Sequence, residues 1–506
     1  MGVKNLDQTE SPSIVHYTAS ETIDALGYGK FQIQLSIAAG FYFLTDAMEI
    51  NVISVLAPAL ECSSWKVSKT QVALLTTLVF VAMTITGSLW GIFSDIYGRR
   101  KALIISSILL LFSGLLNAFS LSFTWFLLLR FLCGCCLSCA PQSMILVLEY
   151  LPTHIRGKAN FALVFVWALG GSFTILIAWG STGAGVYGWR ILVALCTSPI
   201  LAFLCLSVWA PESILYLIKN GKHQEANDIL KVIARKHKKE DMLHSLNVQF
   251  NETHTTNEDT GDQKDAFKED GTGSLKKMNK IQMMRNYLIV LVEPSRRKLT
   301  ILVWAIFFLT GFNYFGCVLF ITEFMRKASG DQHANTTSEF VECSNISYVN
   351  LLWTSLAEFP IAFISLIIMD IIGRKKTFAI NSIIYTISLT LILVARPYLG
   401  EPVIMLLLFA ARGSGVGYNW CAYIYAPEAY PTEIRAVTFG IGVTFMRIGG
   451  MVTPYFAQVL MAYSSTFALS VYIVSGLIGT ILPLLLPIET MRLDLSVSSE
   501  KSKLLQ

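Results

Sequence analysis

Twelve apolar runs alternate with short polar segments along the 506 residues of this chain. A helix needs about 20 mostly apolar residues to cross a bilayer, and each run is close to that length. The pattern therefore predicts an all-α membrane protein. The runs occupy residues 33–57, 71–93, 102–122, 124–147, 161–182, 190–210, 298–322, 350–370, 377–395, 402–425, 437–460 and 466–487.

A polar stretch separates the first six runs from the last six. It is rich in Lys, Glu, Asp and His, and its segment NEDTGDQKDAFKEDGTG predicts disorder. We therefore divide the chain into five parts. They are an N-terminal cytosolic segment (1–30), a six-helix half (31–210), a partly disordered cytosolic central loop (211–297), a second six-helix half (298–490) and a cytosolic tail (491–506).

The composition agrees with lipid as the solvent of most of the chain. Hydrophobic residues make up 54% of it and charged residues 14%, against about 25% charged residues in typical soluble domains. The net charge of +5 comes from short basic clusters between apolar runs, which argues against nucleic acid as a partner. The ten cysteines lie mostly inside apolar runs without zinc-site spacing, so we expect no metal and no cofactor.

Basic residues in the short loops predict the orientation of the chain. Lys and Arg follow the second, fourth, eighth and tenth runs, and these loops share one side if every run crosses the bilayer. Because positively charged loops tend to stay in the cytosol, we expect this side and both termini to be cytosolic. The membrane is that of an intracellular vesicle or of the cell surface.

Two loop motifs occur once in each half. GIFSDIYGRRK after the second run returns as DIIGRKK after the eighth, and EYLPTHIRG after the fourth returns as EAYPTEIRA after the tenth. The offsets are 275 residues (374 − 99) and 279 residues (428 − 149), which indicates a parallel duplication. The positions concerned are Asp95, Gly98, Arg99, Arg100, Glu149, Arg156, Asp370, Gly373, Arg374, Glu428 and Arg435.

These motif residues predict a gate on the cytosolic face. Glycine permits a tight turn and lets helices approach closely, and an acid at a helix end can hold a neighbouring helix N-terminus or a basic partner. We expect inter-helix ion pairs of Glu149 with Arg156 and of Glu428 with Arg435, which form in one state and break in the other. The alternative is that the basic clusters only set the topology.

Other segments resemble a known family. Pro211-Glu212-Ser213 and Pro487-Ile-Glu489-Thr490 are similar to the half-end motifs of sugar porters in the major facilitator superfamily. The segments GYGKFQ, LLTTLVFVAM, NLLWTSLAEFP and TPYFAQV more closely resemble the synaptic vesicle two-related protein family, over residues 27 to 490. The resemblance implies the major facilitator fold, with twelve transmembrane helices in two pseudo-symmetric six-helix bundles, and we expect a monomer.

Ionisable residues inside the apolar runs point to function, because a charge buried in a membrane is costly unless it is paired or faces water. Asp46 and Glu49 lie three residues apart, on one face of the first helix. The resemblance to proton-coupled sugar porters implies that Asp46 and Arg130 are the coupling pair; a static ion pair is the alternative. Glu49 and Glu358 either join in coupling and line the cavity or form structural pairs.

Polar and aromatic residues near mid-membrane predict a solute cavity, although each could equally face lipid or join two helices. Arg412 and Arg447 look mainly structural. The candidate cavity residues are Tyr42, Gln142, Trp167, Asn313, Tyr314, Asn419 and Trp420.

The loop after the seventh run and the C-terminal tail carry short signals. Asn335 and Asn345 lie in glycosylation sequons on the lumenal or outer side. Cys62 and Cys343 lie on that same side and could form a disulfide there, or remain free. The tail residues Glu500, Leu504 and Leu505 fit a dileucine sorting signal for adaptors, or a functionless terminus.

The leading hypothesis is a secondary active transporter that moves a small organic solute by alternating access, with proton coupling. The solute is a cation, a zwitterion or a sugar-like molecule. The alternative is a vesicle membrane protein that keeps the fold but acts by binding trafficking partners or a nucleotide. We do not expect an enzyme, because the sequence contains no nucleophile, metal cluster or paired catalytic constellation.

Overall fold

The computed structural model describes residues 19–61, 65, 67–239, 293–332 and 347–491. Within these residues every regular element is helical. The prediction of an all-α protein is therefore confirmed. Ten described helical stretches are long and apolar enough to cross a membrane.

The first half contains six long helices, two of which are broken near their middle. Pro141 and Pro199 stand at the second and the first helical position after those breaks, where a missing N–H is tolerated. The helices are α1 (Lys30–Glu61), α2 (Lys69–Tyr97), α3 (Arg99–Ala118), α4 (Phe123–Leu137 and Ala140–Tyr150), α5 (Arg156–Ser181) and α6 (Gly188–Thr197 and Pro199–Ser207).

The second half repeats this order, and each predicted apolar run corresponds to one helix. The helix α11 contains a π-helical segment that follows Pro454, before its last residues return to α-helix. The helices are α7 (Pro294–Gln332), α8 (Tyr348–Leu356 and Glu358–Ile372), α9 (Arg374–Ala395), α10 (Glu401–Ala429), α11 (Thr432–Pro454, Tyr455–Leu460 and Met461–Tyr463) and α12 (Ser465–Leu484).

Shorter helices lie at the end of the bundle that carries the duplicated loop motifs, which we call the motif end. They are Ala19–Leu26, Ile214–Lys219 and His223–His237. The central segment predicted as a cytosolic loop thus begins with two helices, whereas its predicted disordered core lies outside the described residues. His237 Nδ1 donates a hydrogen bond to the Leu26 carbonyl over 3.1 Å, which ties the loop helix to the N-terminal segment.

Several predictions fall on positions that the structure does not describe, and they stay predictions. They concern Cys62, Cys343, Asn335, Asn345, Glu500, Leu504 and Leu505, together with the side chain of Arg156. The eight cysteines that are described are free thiols.

The two halves meet mainly along the pairs α2–α11, α5–α8 and α1–α7. Helices α1 and α2 of one half thus face α7 and α11 of the other. Side chains on the facing surfaces of these helices lie close to the plane between the halves, and part of the candidate site lies there.

Candidate functional site

Three acids and three arginines lie buried near the middle of the helices. Buried charges persist in such a setting only when they are paired or used. They are Asp46, Glu49, Arg130, Glu358, Arg412 and Arg447, each at most 7% exposed.

Arg130 pairs with Glu49, so the predicted pairing with Asp46 is wrong. Nη1 of Arg130 lies 2.7 Å from Oε2 of Glu49, and both side chains are 1% exposed. Thr197 on α6 donates a second hydrogen bond to Glu49 Oε1 over 2.5 Å. Both acids are on one face of α1, and Glu49, nearly one turn further along the helix, is the one that meets α4 and α6.

Asp46 lies opposite a cation of the other half. Its side chain is 6% exposed, and its Oδ1 has no hydrogen-bond partner among the described residues. Two charges act on it, the attractive one of Arg447 on α11 and the repulsive one of Glu49. Nη1 of Arg447 donates to the Met83 carbonyl on α2 over 2.5 Å, so this arginine bridges the two halves. A Cβ at Gly87 would lie 2.4 Å from the same nitrogen, and the glycine makes room for it.

A second ion pair links the halves through aromatic groups. Arg412 Nε lies 2.8 Å from Glu358 Oε1, and the two side chains are 3% and 0% exposed. The Tyr314 hydroxyl donates to the same carboxylate over 3.4 Å. Trp167 of the first half donates its indole N–H to the Tyr314 oxygen over 2.6 Å. The network therefore runs from α5 across the interface to α7, α8 and α10.

Small polar residues complete this network, and sequence reasoning missed them. Arg412 Nη2 donates to Ser355 Oγ over 3.3 Å, and that hydroxyl lies 3.4 Å from Ser172 Oγ on α5. A Cβ at Gly171 would meet Asn51 Oδ1 at 3.6 Å, so α1 also reaches this point. The sequence gives only a weak signal for a functional role of these residues, since single Ser and Asn residues are common where membrane helices pack.

Three residues predicted to line the cavity lie elsewhere. Tyr42 bonds Ser106 Oγ (2.9 Å) inside the first bundle. Asn313 accepts from Ser475 Oγ (2.6 Å) inside the second. Gln142 accepts from Arg99 Nη1 (2.9 Å) at the motif end. The predicted cavity placement is therefore wrong for these three side chains.

The placement of two more candidates, Asn419 and Trp420, in the cavity stays a prediction. Within the described residues, Asn419 Oδ1 and Trp420 Nε1 are buried without a hydrogen-bond partner. Buried polar groups nearly always have partners, so these atoms are open to a water or a solute.

At the motif end, the first arginine of each basic cluster pairs with an acid of its own half. Arg99 Nε lies 2.7 Å from Glu149 Oε1, and Arg374 makes two contacts of 3.0 Å with Glu428. The expected pair of Glu428 with Arg435 is not formed in this state, and it stays a prediction for the state in which the motif end is closed. The Arg435 side chain instead approaches the carbonyl of Tyr430, 3.5 Å away.

Two further acids hold the loop motifs and are equivalent in the two halves. Glu212 Oε1 accepts from the Arg100 backbone N–H over 2.9 Å, and Glu489 Oε1 accepts from the Arg374 N–H over 2.8 Å. Each carboxylate caps the N-terminus of a helix, α3 or α9, where negative charge is favoured. Sequence reasoning noted the surrounding segments but not this role, although the 277-residue offset (489 − 212) was a usable signal.

The halves are separated at the motif end. Gly91 on α2 lies on the face of Gly87, and Gly440 on α11 lies two turns from Arg447 on the same face. A Cβ at either glycine would meet nothing within 4 Å. Asp95 is exposed, and no partner for it occurs in the described part of the chain. The open space around these two glycines indicates that the halves are apart toward this end, and we call the space between them the cleft.

The whole chain is similar to known membrane transporters. The family model described as "Sugar (and other) transporter" matches residues 32–500. The chain belongs to this family of the major facilitator superfamily. It is a multi-pass integral membrane transporter, as predicted, and its relatives are transporters rather than enzymes.

Individual relatives cover nearly all of the chain. The synaptic vesicle 2-related protein of Rattus norvegicus is 34% identical over 501 residues, which are 97% of this chain and 84% of the relative. Organic cation/carnitine transporter 7 of Arabidopsis thaliana is 32% identical over 508 residues, with 96% and 97% covered. The predicted closeness to synaptic vesicle 2-related proteins is confirmed.

A solved structure supports the fold. The partially occluded inward open conformation of the xylose transporter XylE from E. coli has a TM-score of 0.68 and 17% identity, and the match covers 91% of this chain and 99% of that chain. The predicted major facilitator fold is therefore confirmed.

Proposed function

We propose that this transporter moves a small organic solute by alternating access, coupled to protons, with the solute bound between the halves near mid-membrane. The cleft that opens at one end supports this proposal. So does the mid-membrane network of Trp167, Tyr314, Glu358 and Arg412, because residues of both halves contribute to it.

The observation that carries proton coupling is the buried pair of Glu49 and Arg130. A carboxylate beside an arginine stays ionised, whereas the same carboxylate left alone in a low dielectric takes a proton. A movement that separates α1 from α4 therefore loads Glu49 with a proton, and their return releases it. Asp46 keeps a role in the same cycle as the acid that faces Arg447 across the cleft.

The charge balance bears on the class of solute. The six buried mid-membrane charges are three acids and three arginines, so the empty site has no net charge. A net-neutral solute, either zwitterionic or sugar-like, leaves that balance unchanged, whereas a cation adds a charge for which no unbalanced acid is left among the six. We favour the neutral class.

The motif end is cytosolic in this proposal. Its short loops carry the Lys and Arg that the positive-inside rule requires, and the described part of the N-terminal segment and the start of the central loop lie there. The transporter acts as a monomer in a vesicle or the cell-surface membrane, and its tail is read by sorting adaptors.

Uptake into proteoliposomes under an imposed pH gradient tests the coupling. We expect gradient-driven uptake from a panel of zwitterionic, sugar-like and cationic solutes, and its loss in Glu49→Gln while gradient-independent exchange remains. Glu225→Gln, which removes an exposed carboxylate of the loop helix, is the matched control and leaves uptake unchanged. Gradient-driven uptake that survives in Glu49→Gln would contradict the proposal.

A further inference from the structure

Four charged side chains of alternating sign meet at the end opposite the motif end, which we call the outer end. Glu61 and Lys69 of the first half lie on either side of the α1–α2 connection. Glu323 and Arg326 lie three residues apart on α7. Arg326 Nη1 is 3.1 Å from Glu61 Oε2, and its Nη2 is 2.7 Å from Glu323 Oε1. Lys69 Nζ contacts Glu323 Oε1 in turn.

Two of these contacts, those of Lys69 with Glu323 and of Glu61 with Arg326, cross from one half to the other. The ion pairs described at the motif end, Arg99 with Glu149 and Arg374 with Glu428, each stay within one half. Among the residues that the structure describes, ionic contact between the halves is thus found at the end where they are closed and not at the end where they are apart.

The α7 side of the cluster is firmly anchored. Lys327 Nζ, next to Arg326, donates to the Met461 carbonyl at the end of α11 over 2.6 Å and contacts Ser465 Oγ at 3.3 Å. The end of α7 is therefore fixed to its own half. A rocking movement of that half must carry Glu323 and Arg326 away from Glu61 and Lys69.

The burial of the cluster suits contacts that form and break. Lys69 and Arg326 are each 27% exposed, whereas Glu323 is 7% exposed. Isolated exposed ion pairs contribute little, but Glu323 is shielded and has two cationic partners. Both cations reach water, so the cluster separates without leaving a charge in the bilayer core.

We propose that Glu61, Lys69, Glu323 and Arg326 form an ionic latch, the outer latch, which holds the outer end closed while the cleft is open at the motif end. The inference rests on the proposed alternating access. Opening the outer end requires both cross-half pairs to break, so the latch sets the balance between the two states.

Paired charge reversals test the latch, because each keeps the net charge. Reversing the first-half pair (Glu61→Lys with Lys69→Glu) sets like charges against α7, and so does reversing the α7 pair (Glu323→Lys with Arg326→Glu). Spin labels on non-canonical amino acids at Leu121 and Tyr463, 89% and 85% exposed at the outer end, report its opening. Labels at Tyr97 and Ile371 report the motif end.

We expect either reversal alone to raise the ratio of long to short outer distances by about tenfold or more, because apposed like charges disfavour the closed state. The quadruple variant, which combines both reversals, restores the wild-type distribution of outer distances. Arg326→Gln, a milder change, shifts the ratio in the same direction by less. Reversal of the exposed pair Lys222 and Glu225 within one helix is the matched control and changes nothing.

Unchanged outer distances in both variants that reverse one pair alone would overturn the latch. So would a quadruple variant whose outer end stays open despite a wild-type unfolding midpoint. Because the distances are measured without solute, they do not depend on the uptake assay. A failed uptake screen with a working latch would count against the solute classes or the coupling, not against the latch.

Discussion

Arg130 holds Glu49 with only one of its three guanidinium nitrogens. Its Nε and Nη2 are buried and have no hydrogen-bond partner among the described residues. A buried arginine with unsatisfied donors is poorly compensated for its lost hydration. The pair therefore costs less to separate than a fully bonded one, which suits a contact that changes during a transport cycle better than a static support.

Gly98 offers a test of backbone geometry at a single residue. Its φ is +104°, and a Cβ there would lie 2.3 Å from Glu212 Oε2. A positive φ combined with a ψ of 150° disfavours L-residues by about 1–3 kcal/mol, and the clash adds to this. We expect Gly98→Ala to lower the unfolding midpoint in detergent by several degrees, as measured by intrinsic fluorescence.

Gly40→Ala is the control for this substitution. Gly40 lies within α1, and a Cβ there would meet nothing within 4 Å. Alanine is favoured over glycine in a helix by about 1 kcal/mol, so the midpoint stays or rises. Equal midpoints for the two variants would show that the α2–α3 turn tolerates a side chain.

At the scale of elements, the pattern of apolar residues was enough to locate the twelve helices. It did not tell which charged side chains of different helices pair with each other. Apolar runs report where a helix crosses lipid, so each one was found. Asp46 and Glu49 share a helix face, and which of them meets Arg130 depends on how α1 is rotated against α4, which local sequence does not encode. The same limit applies to Glu149 and Glu428, whose partners come from the loops before α3 and α9 rather than from the adjoining motif.

Removing the charge of either capping acid, Glu212 or Glu489, should destabilise only the N-terminus of the helix that it caps. Replacing Glu212 by Gln weakens the acceptor for the Arg100 N–H and removes the charge that favours the N-terminus of α3, and Glu489→Gln does the same at α9. By hydrogen–deuterium exchange, we expect Glu212→Gln to speed exchange at residues 98–103 and Glu489→Gln at residues 373–378. Each variant is the control for the other, and a uniform rise over both segments would indicate general destabilisation instead.

At the scale of the whole molecule, the structure is closed at one end and open at the other. Along α2, contacts with the second half run from the outer end to mid-membrane. The Thr77 hydroxyl donates to the Met451 carbonyl over 2.9 Å, and Met83 accepts from Arg447. Beyond these, Gly91 has open space around it. The interface between α2 and α11 is thus in contact over only part of its length. In alternating access, the part that is in contact moves from one end to the other.

This geometry predicts a variant that folds but cannot change state. A Cβ at Gly440 would meet nothing within 4 Å, so Gly440→Trp directs an indole into the cleft without a clash at its first side-chain atom, and we expect a wild-type unfolding midpoint. The same ring blocks closure at the motif end, so the distance between labels at Tyr97 and Ile371 stays long in every condition, and uptake falls at least about tenfold, since closure gates turnover.

Gly449→Trp on the same helix is the contrasting variant. A Cβ at Gly449 would already lie 2.2 Å from the Phe308 carbonyl of α7, inside the second bundle, so this change lowers the unfolding midpoint. A Gly440→Trp protein that still shortens the distance at the motif end would mean that α11 does not line the closing surface. The halves would then rock about a different seam from the one that Arg447 and Met83 mark.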